Sequence, residues 1–167
     1  MTARVLVAYA TRNGSTAEIA QAVGRELEKN GAEVTVADMK TVGSLEGYSA
    51  VVIGGPLYMG SMDKPVRLFV AKFLAQLTEM PVAAFAVGIA PQDPKPEAVG
   101  SAMEALRKAI VPLSPVSSVL FAGKLDPAKV SFLMRRFMEM AKIPSGDFRN
   151  WDAIAAWADG LLEKMQI

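Results

Sequence analysis

Neither cysteine nor histidine occurs anywhere in this chain of 167 residues. Without cysteine there are no disulfides, no iron–sulfur ligation and no thiol chemistry. Without histidine the commonest general base and the commonest metal ligand are both missing. An excess of charge is lacking too: 18 Lys and Arg stand against 17 Asp and Glu, for a net charge of +1. That balance supplies no long-range attraction for nucleic acid. The longest apolar stretch, Pro81 to Pro91, is too short to span a bilayer. The first residues show no apolar segment followed by a small-residue cleavage site. These absences predict a cytoplasmic protein with no nucleic-acid partner and no metal, whose chemistry comes mainly from a bound organic cofactor.

Hydrophobic residues, at 51%, outweigh the charged 21%, as in a globular chain, and one domain over residues 1–167 is expected. Val5 to Tyr9 reads as a strand buried on both faces. Ile19, Ala20, Val23 and Leu27 then recur at helical spacing, and Asn30-Gly31 supplies the stop. Glu33 to Ala37 alternates like an edge strand, and Ala50 to Ile53 is a buried strand ending in Gly54-Gly55-Pro56. The spacing predicts a helix over 64–77, a strand over 82–87 ending at Gly88, and a proline-rich loop over 91–97. A helix over 96–109, a strand over 117–122 and helices over 127–142 and 151–165 follow. Strands alternating with helices imply a doubly wound α/β fold: a five-stranded parallel sheet in the order 2-1-3-4-5, with helices on both faces. Ligands in that architecture sit at the carboxyl ends of the strands, by the switch between the first and third.

Three loops meet at that rim. The first, Thr11-Arg12-Asn13-Gly14-Ser15-Thr16, joins the first strand to the first helix. The hydroxyls of Thr11, Ser15 and Thr16 can each donate to a phosphate oxygen, and the unpaired N–H groups of the helix favour an anion. The same residues also suit an ordinary turn, with Asn13 or Ser15 capping the helix. The second loop, Pro56-Leu57-Tyr58-Met59-Gly60, brings an aromatic ring and a thioether, a suitable wall for a flat heteroaromatic group. The third, Gly88-Ile89-Ala90, offers an uncharged opposite wall. Side by side, an anion cradle and two apolar walls describe a phosphorylated flat cofactor, although each apolar residue taken singly also suits rim packing.

The stretch Tyr9-Ala-Thr-Arg-Asn-Gly-Ser-Thr-Ala-Glu-Ile-Ala20 resembles the FMN phosphate loop of the flavodoxin superfamily. Its Thr-Arg-Asn-Gly-x-Thr form is closer to the menaquinone-dependent protoporphyrinogen oxidase branch than to electron-carrier flavodoxins. Phe121-Ala-Gly-Lys-Leu-Asp126 and Gly146-Asp-Phe-Arg-Asn-Trp-Asp-Ala-Ile154 resemble the same branch. The resemblance implies a flavodoxin-like fold in which Thr11 to Thr16 bind the phosphate of FMN. It implies that Pro56 to Gly60 and Gly88 to Ala90 bracket the isoalloxazine, with Gly60 offering the peptide that meets flavin N5. Electron transfer with a redox partner protein or a quinone is the implied function, with an FMN-dependent oxidase or quinone reductase as the alternative. Unlike the strongly acidic electron carriers, this chain is close to neutral.

Within 127–142, Val130, Leu133, Met134, Phe137, Met138 and Ala141 fall on one stripe, while Phe132 lies opposite, beside Arg135 and Arg136. The segment either packs its stripe on the core with Phe132 alone exposed, or makes peripheral contact with a membrane, a quinone or a redox partner.

Overall fold

Hydrophobic runs of the strand type become, in the computed structural model, strands that pair side by side. The structure describes residues 2–88, 95–142 and 145–167. Along the chain, β1 (Arg4–Tyr9) leads into α1 (Ser15–Lys29), β2 (Glu33–Asp38), β3 (Ala50–Tyr58) and a short β4 (Ser61–Met62). Next come α2 (Lys64–Lys72), α3 (Leu74–Leu77), β5 (Val82–Gly88), α4 (Pro96–Ile110) and β6 (Ser117–Ala122). Beyond these lie β7 (Lys124–Leu125), α5 (Phe132–Met140), β8 (Gly146–Asp147), α6 (Trp151–Asp159) and α7 (Leu161–Met165).

The main sheet runs β2-β1-β3-β5-β6, the expected order, with β4 folded back on β3. Every neighbouring pair along that path is parallel. Because successive side chains point to opposite faces, each buried strand feeds two cores. Leu6, Ala8, Val51, Ile53 and Ala84 pack with Val66, Phe69, Leu106 and Ile110 from α2 and α4. Val5, Val7, Val52, Ala83 and Phe85 pack on the other side with Ile19, Val23, Ile154 and Leu161 from α1, α6 and α7. The sheet is therefore covered on both faces, and its loops at the carboxyl ends are left to form a site.

Several elements differ from the sequence reading. The helix expected over 64–77 breaks at Phe73, whose backbone turns to φ −111° while its buried ring packs edge-on against Phe69 at 5.1 Å. The helix expected over 151–165 breaks at Gly160, where glycine's weak helical propensity lets one helix end and another start. The helix expected over 127–142 opens instead with a 3₁₀ turn at Pro127–Lys129, and Asp126 accepts the Ala128 N–H at 3.0 Å. Ser131 then caps a new start by accepting the Met134 N–H at 3.2 Å, so α5 covers only Phe132–Met140. β3 runs past Gly54-Gly55-Pro56 to Tyr58 and turns into β4. The antiparallel pair of β7 and β8 has two residues per strand and no sequence signal of its own.

Candidate functional site

The first βα junction is shaped by one glycine and one threonine. Gly14 holds φ at +91°, a left-handed conformation that turns the chain into α1. The Thr11 hydroxyl oxygen accepts the Gly14 N–H at 3.0 Å, which closes the turn. No side chain caps α1, so the first-turn amides remain available to a ligand in the loop. Thr16, 1% exposed, places its hydroxyl oxygen in the interior with no hydrogen-bond partner among the described residues. A buried hydroxyl left without a partner costs about 1–3 kcal/mol. An oxyanion seated in the loop is the kind of group that would remove that cost.

Arg12 turns away from this turn. Its guanidinium donates to one carboxylate oxygen of Asp63 at 2.8 Å and lies 4.0 Å from the centre of the Tyr58 ring. The hydrogen bond from Arg12 to Asp63 raises the guanidinium pKa further. Arg12 thus ties the first loop to the second instead of facing the anion cradle. The second loop is a two-residue hairpin between Tyr58 and Ser61, with Met59 at φ +52° and Gly60 at φ +80°. Two successive positive φ values mark a type I′ turn, whose twist matches its flanking strands. Glycine adopts this freely; for Met59 the conformation is strained.

Between these loops lies a cavity of about 350 Å³, within the range of small-ligand sites. Arg12, Asn13, Ser15 and Thr16 form its polar end. Pro56, Leu57, Tyr58 and Met59 form one wall, and Val87 and Gly88 reach it from the end of β5. Met134, Phe137 and Met138 of α5 close the far side, with the Tyr58 hydroxyl 4.0 Å from the Met134 sulfur. A smaller hollow of about 60 Å³ adjoins the turn, lined by Asn13, Gly14, Ser15, Glu18, Lys124, Asp126 and Lys129. Its two cations, Lys124 and Lys129, both come from the segment after β6 and face the carboxylates of Glu18 and Asp126 across the hollow.

That segment is braced to α1 by Arg149, whose side chain is almost fully buried. Its guanidinium hydrogen-bonds the Glu18 carboxylate in the first turn of α1 and the Asp147 carboxylate on β8, the latter at 2.8 Å. It also lies over Trp151, 4.7 Å from the ring centre. The Arg149 hydrogen bond holds the Asp147 carboxyl at about 2, below its ordinary 3.8, and lowers Glu18 in the same sense. A depressed folded-state pKa means the unfolded chain takes up the proton first. The stabilisation is complete above about pH 4 and disappears as the pH falls through about 2. Asp147→Asn is expected to flatten that acid limb: unfolding midpoints of variant and parent should differ at neutral pH and converge near pH 2. Parallel curves over that range would contradict the brace.

Of the residues expected from sequence, Arg12, Asn13, Ser15, Thr16, Pro56, Leu57, Tyr58, Met59 and Gly88 line one cavity. Thr11 shapes the turn, Gly14 lines the adjoining hollow, and Gly60 sits at the hairpin tip. Ile89 and Ala90 lie outside the described residues. Lys124, Lys129 and Arg149 went unassigned, although the first and last fall within the two later motif segments.

A family model described as flavodoxin domain matches residues 6–150. A curated relative, protoporphyrinogen IX dehydrogenase [quinone] of Escherichia coli K12, is 31% identical over 94 residues, 55% of this chain and 52% of its own. The chain thus spans about half the length of the curated relatives it matches. Among solved structures, a flavodoxin from the domain Archaea aligns over 98% of this chain and 99% of its own, with TM-score 0.59 and 18% identity. A short-chain flavodoxin associated with a PDU bacterial microcompartment aligns over the same shares, with TM-score 0.61 and 14% identity.

Proposed function

Because this chain belongs to the flavodoxin domain family, we propose that it binds FMN at the junction after β1 and transfers electrons between redox partners. The observation that carries the reading is the buried, unpartnered Thr16 hydroxyl at the polar end of an otherwise apolar cavity. Once bound, FMN supplies one- and two-electron redox chemistry that the side chains lack.

The chain's own part is to bind and orient. Thr11, Asn13, Gly14, Ser15 and Thr16, with the first-turn amides of α1, hold the phosphate, while Arg12 ties this loop to Asp63; Thr11 keeps the turn closed and Thr16 donates from below. Lys124 and Lys129 line the adjoining hollow, where the carboxylates of Glu18 and Asp126 balance their charge. Pro56 to Met59 with Gly88 flank the ring on one side, and the thioethers of Met134 and Met138 with Phe137 exclude water on the other. By the family resemblance, the peptide of Gly60 would supply the backbone group that hydrogen-bonds flavin N5. Ile89 and Ala90 are assigned to the opposite wall from the sequence pattern alone.

A second reading is favoured by the 31% identity to a quinone-coupled dehydrogenase: an FMN-dependent oxidoreductase acting on a small reduced substrate, with a quinone as acceptor. In the electron-carrier reading no side-chain acid or base is required of the cavity.

Binding of FMN, riboflavin and FAD, followed by quenching of flavin fluorescence, tests the proposal. FMN is expected to bind at least about a hundredfold more tightly than riboflavin, because charge-assisted bonds to a phosphate contribute about 1.5–3 kcal/mol each. Equal affinity for FMN and riboflavin would overturn the phosphate assignment, and no binding of any flavin would overturn the function. Turnover of a reduced tetrapyrrole with a soluble quinone then separates enzyme from carrier.

A further inference from the structure

The outer face of α5 goes beyond the flavin reading. The helix turns Met134, the 4%-exposed Met138 and one side of Phe137 toward the cavity, and it turns three large apolar side chains, Phe132, Leu133 and Met140, outward. Phe132 is 67% exposed, Leu133 80%, Met140 82%, and Phe137 about half. At 100° per residue Phe132, Leu133 and Met140 occupy one continuous arc opposite Met138, with Phe137 at its margin. The only charged residue within that arc is Arg136, whose guanidinium lies 5.8 Å from the centre of the Phe132 ring. A helix apolar on both sides is stable only when both sides are covered. The cavity accounts for one side alone.

Charge identifies what covers the other. Residues 127–142 carry four cations, Lys129, Arg135, Arg136 and Lys142, against one anion, Glu139. The whole chain has a net charge of only +1, so the remainder is net negative and the positive potential is concentrated on this segment. Among the described residues no helix is long and apolar enough to cross a membrane. A short helix with an exposed apolar arc, an arginine stacked within it and cations along its margins fits the plane of an anionic lipid surface. We propose that α5 docks this protein on anionic membranes, with Phe132, Leu133 and Met140 entering the acyl boundary while Arg136 and Lys142 meet the headgroups.

Because the helix is short, its apolar contacts alone give weak binding and the headgroup charge is needed as well. Flotation of the full chain with phosphatidylcholine vesicles, with and without phosphatidylglycerol, tests this directly. The parent is expected to float with the anionic vesicles, to stay behind with the neutral ones, and to be released by high salt. Phe132→Ser combined with Leu133→Ser should lower the bound fraction at least about tenfold, and Arg136→Gln with Lys142→Gln should do the same. None of these four residues lines the cavity, so flavin content and melting temperature are expected to stay at parent values. A parent that remains in solution would overturn the proposal, as would variants that float like the parent. So would light scattering that shows a parent dimer dissolved by the serine pair, since a second copy would then cover the face. Colourless protein that still floats would reject the flavin reading and leave this one standing.

Discussion

Thr16→Val is expected to weaken FMN binding by roughly ten- to a hundredfold while making the cofactor-free protein more stable. The two effects share one cause. In the absence of ligand the Thr16 hydroxyl is buried without a partner, so it subtracts from stability; valine keeps the shape and removes the polar atom. Replacing an unsatisfied group of this kind gains up to about 1–2 kcal/mol, within the about 1–3 kcal/mol that such burial costs. On the proposed FMN reading the same hydroxyl would donate to the phosphate, and losing a hydrogen bond to a charged acceptor costs about 1.5–3 kcal/mol. The check is a pair of measurements, thermal unfolding without FMN and titration with it. A variant that loses both affinity and stability would mean that Thr16 is a core residue and nothing more.

Gly54→Ala is expected to cost about 3 kcal/mol of folding stability, the upper end for overpacking a rigid core. A Cβ built on Gly54 comes within 2.0 Å of the Phe85 ring carbons. Phe85 cannot yield: it is fully buried on the neighbouring strand, directly paired with Gly54, and held against Phe121 and Trp157 at 5.8 and 6.1 Å. Trp157 is fixed in turn by donating its indole N–H to the Ser117 hydroxyl at 2.9 Å. Gly54 is therefore the cavity into which one aromatic cluster fits. The double variant Gly54→Ala with Phe85→Leu should recover part of the loss, as judged from denaturant midpoints. A single variant unfolding like the parent would disprove the steric account.

The fold was largely legible because its strands are unambiguous. Val5 to Tyr9, Ala50 to Ile53 and Val82 to Val87 are apolar at every position, as strands covered on both faces must be. The polar end of the site was legible too, since the turn after β1 concentrates hydroxyls and a glycine where the chain changes from strand to helix. The helix after β6 was harder. Leu133, Met134, Phe137 and Met138 satisfy helical spacing, and the pattern predicts that all four face inward. Yet Phe132 and Met140 make the helix apolar almost all round, so periodicity could not choose the packed side. The structure buries Met138, half-buries Met134, and leaves Leu133 and Phe137 exposed. Arg149 was invisible for a different reason: its partners are Asp147, two residues away, and Glu18, far back in the sequence, and no local pattern announces that second pairing. Met59 was equally silent, since nothing in a methionine signals a positive φ.

The separation between Glu18 and Arg149 also orders events during synthesis. The two residues lie 131 positions apart. While the polypeptide is still emerging from the ribosome, β1, β2 and β3 can pair in turn, but the anion cradle has no brace from behind. Contacts of such long range form late because the intervening loop must first be closed. The brace therefore waits until the chain has been made as far as Arg149, and a polypeptide cut short anywhere before that residue leaves the turn after β1 without it.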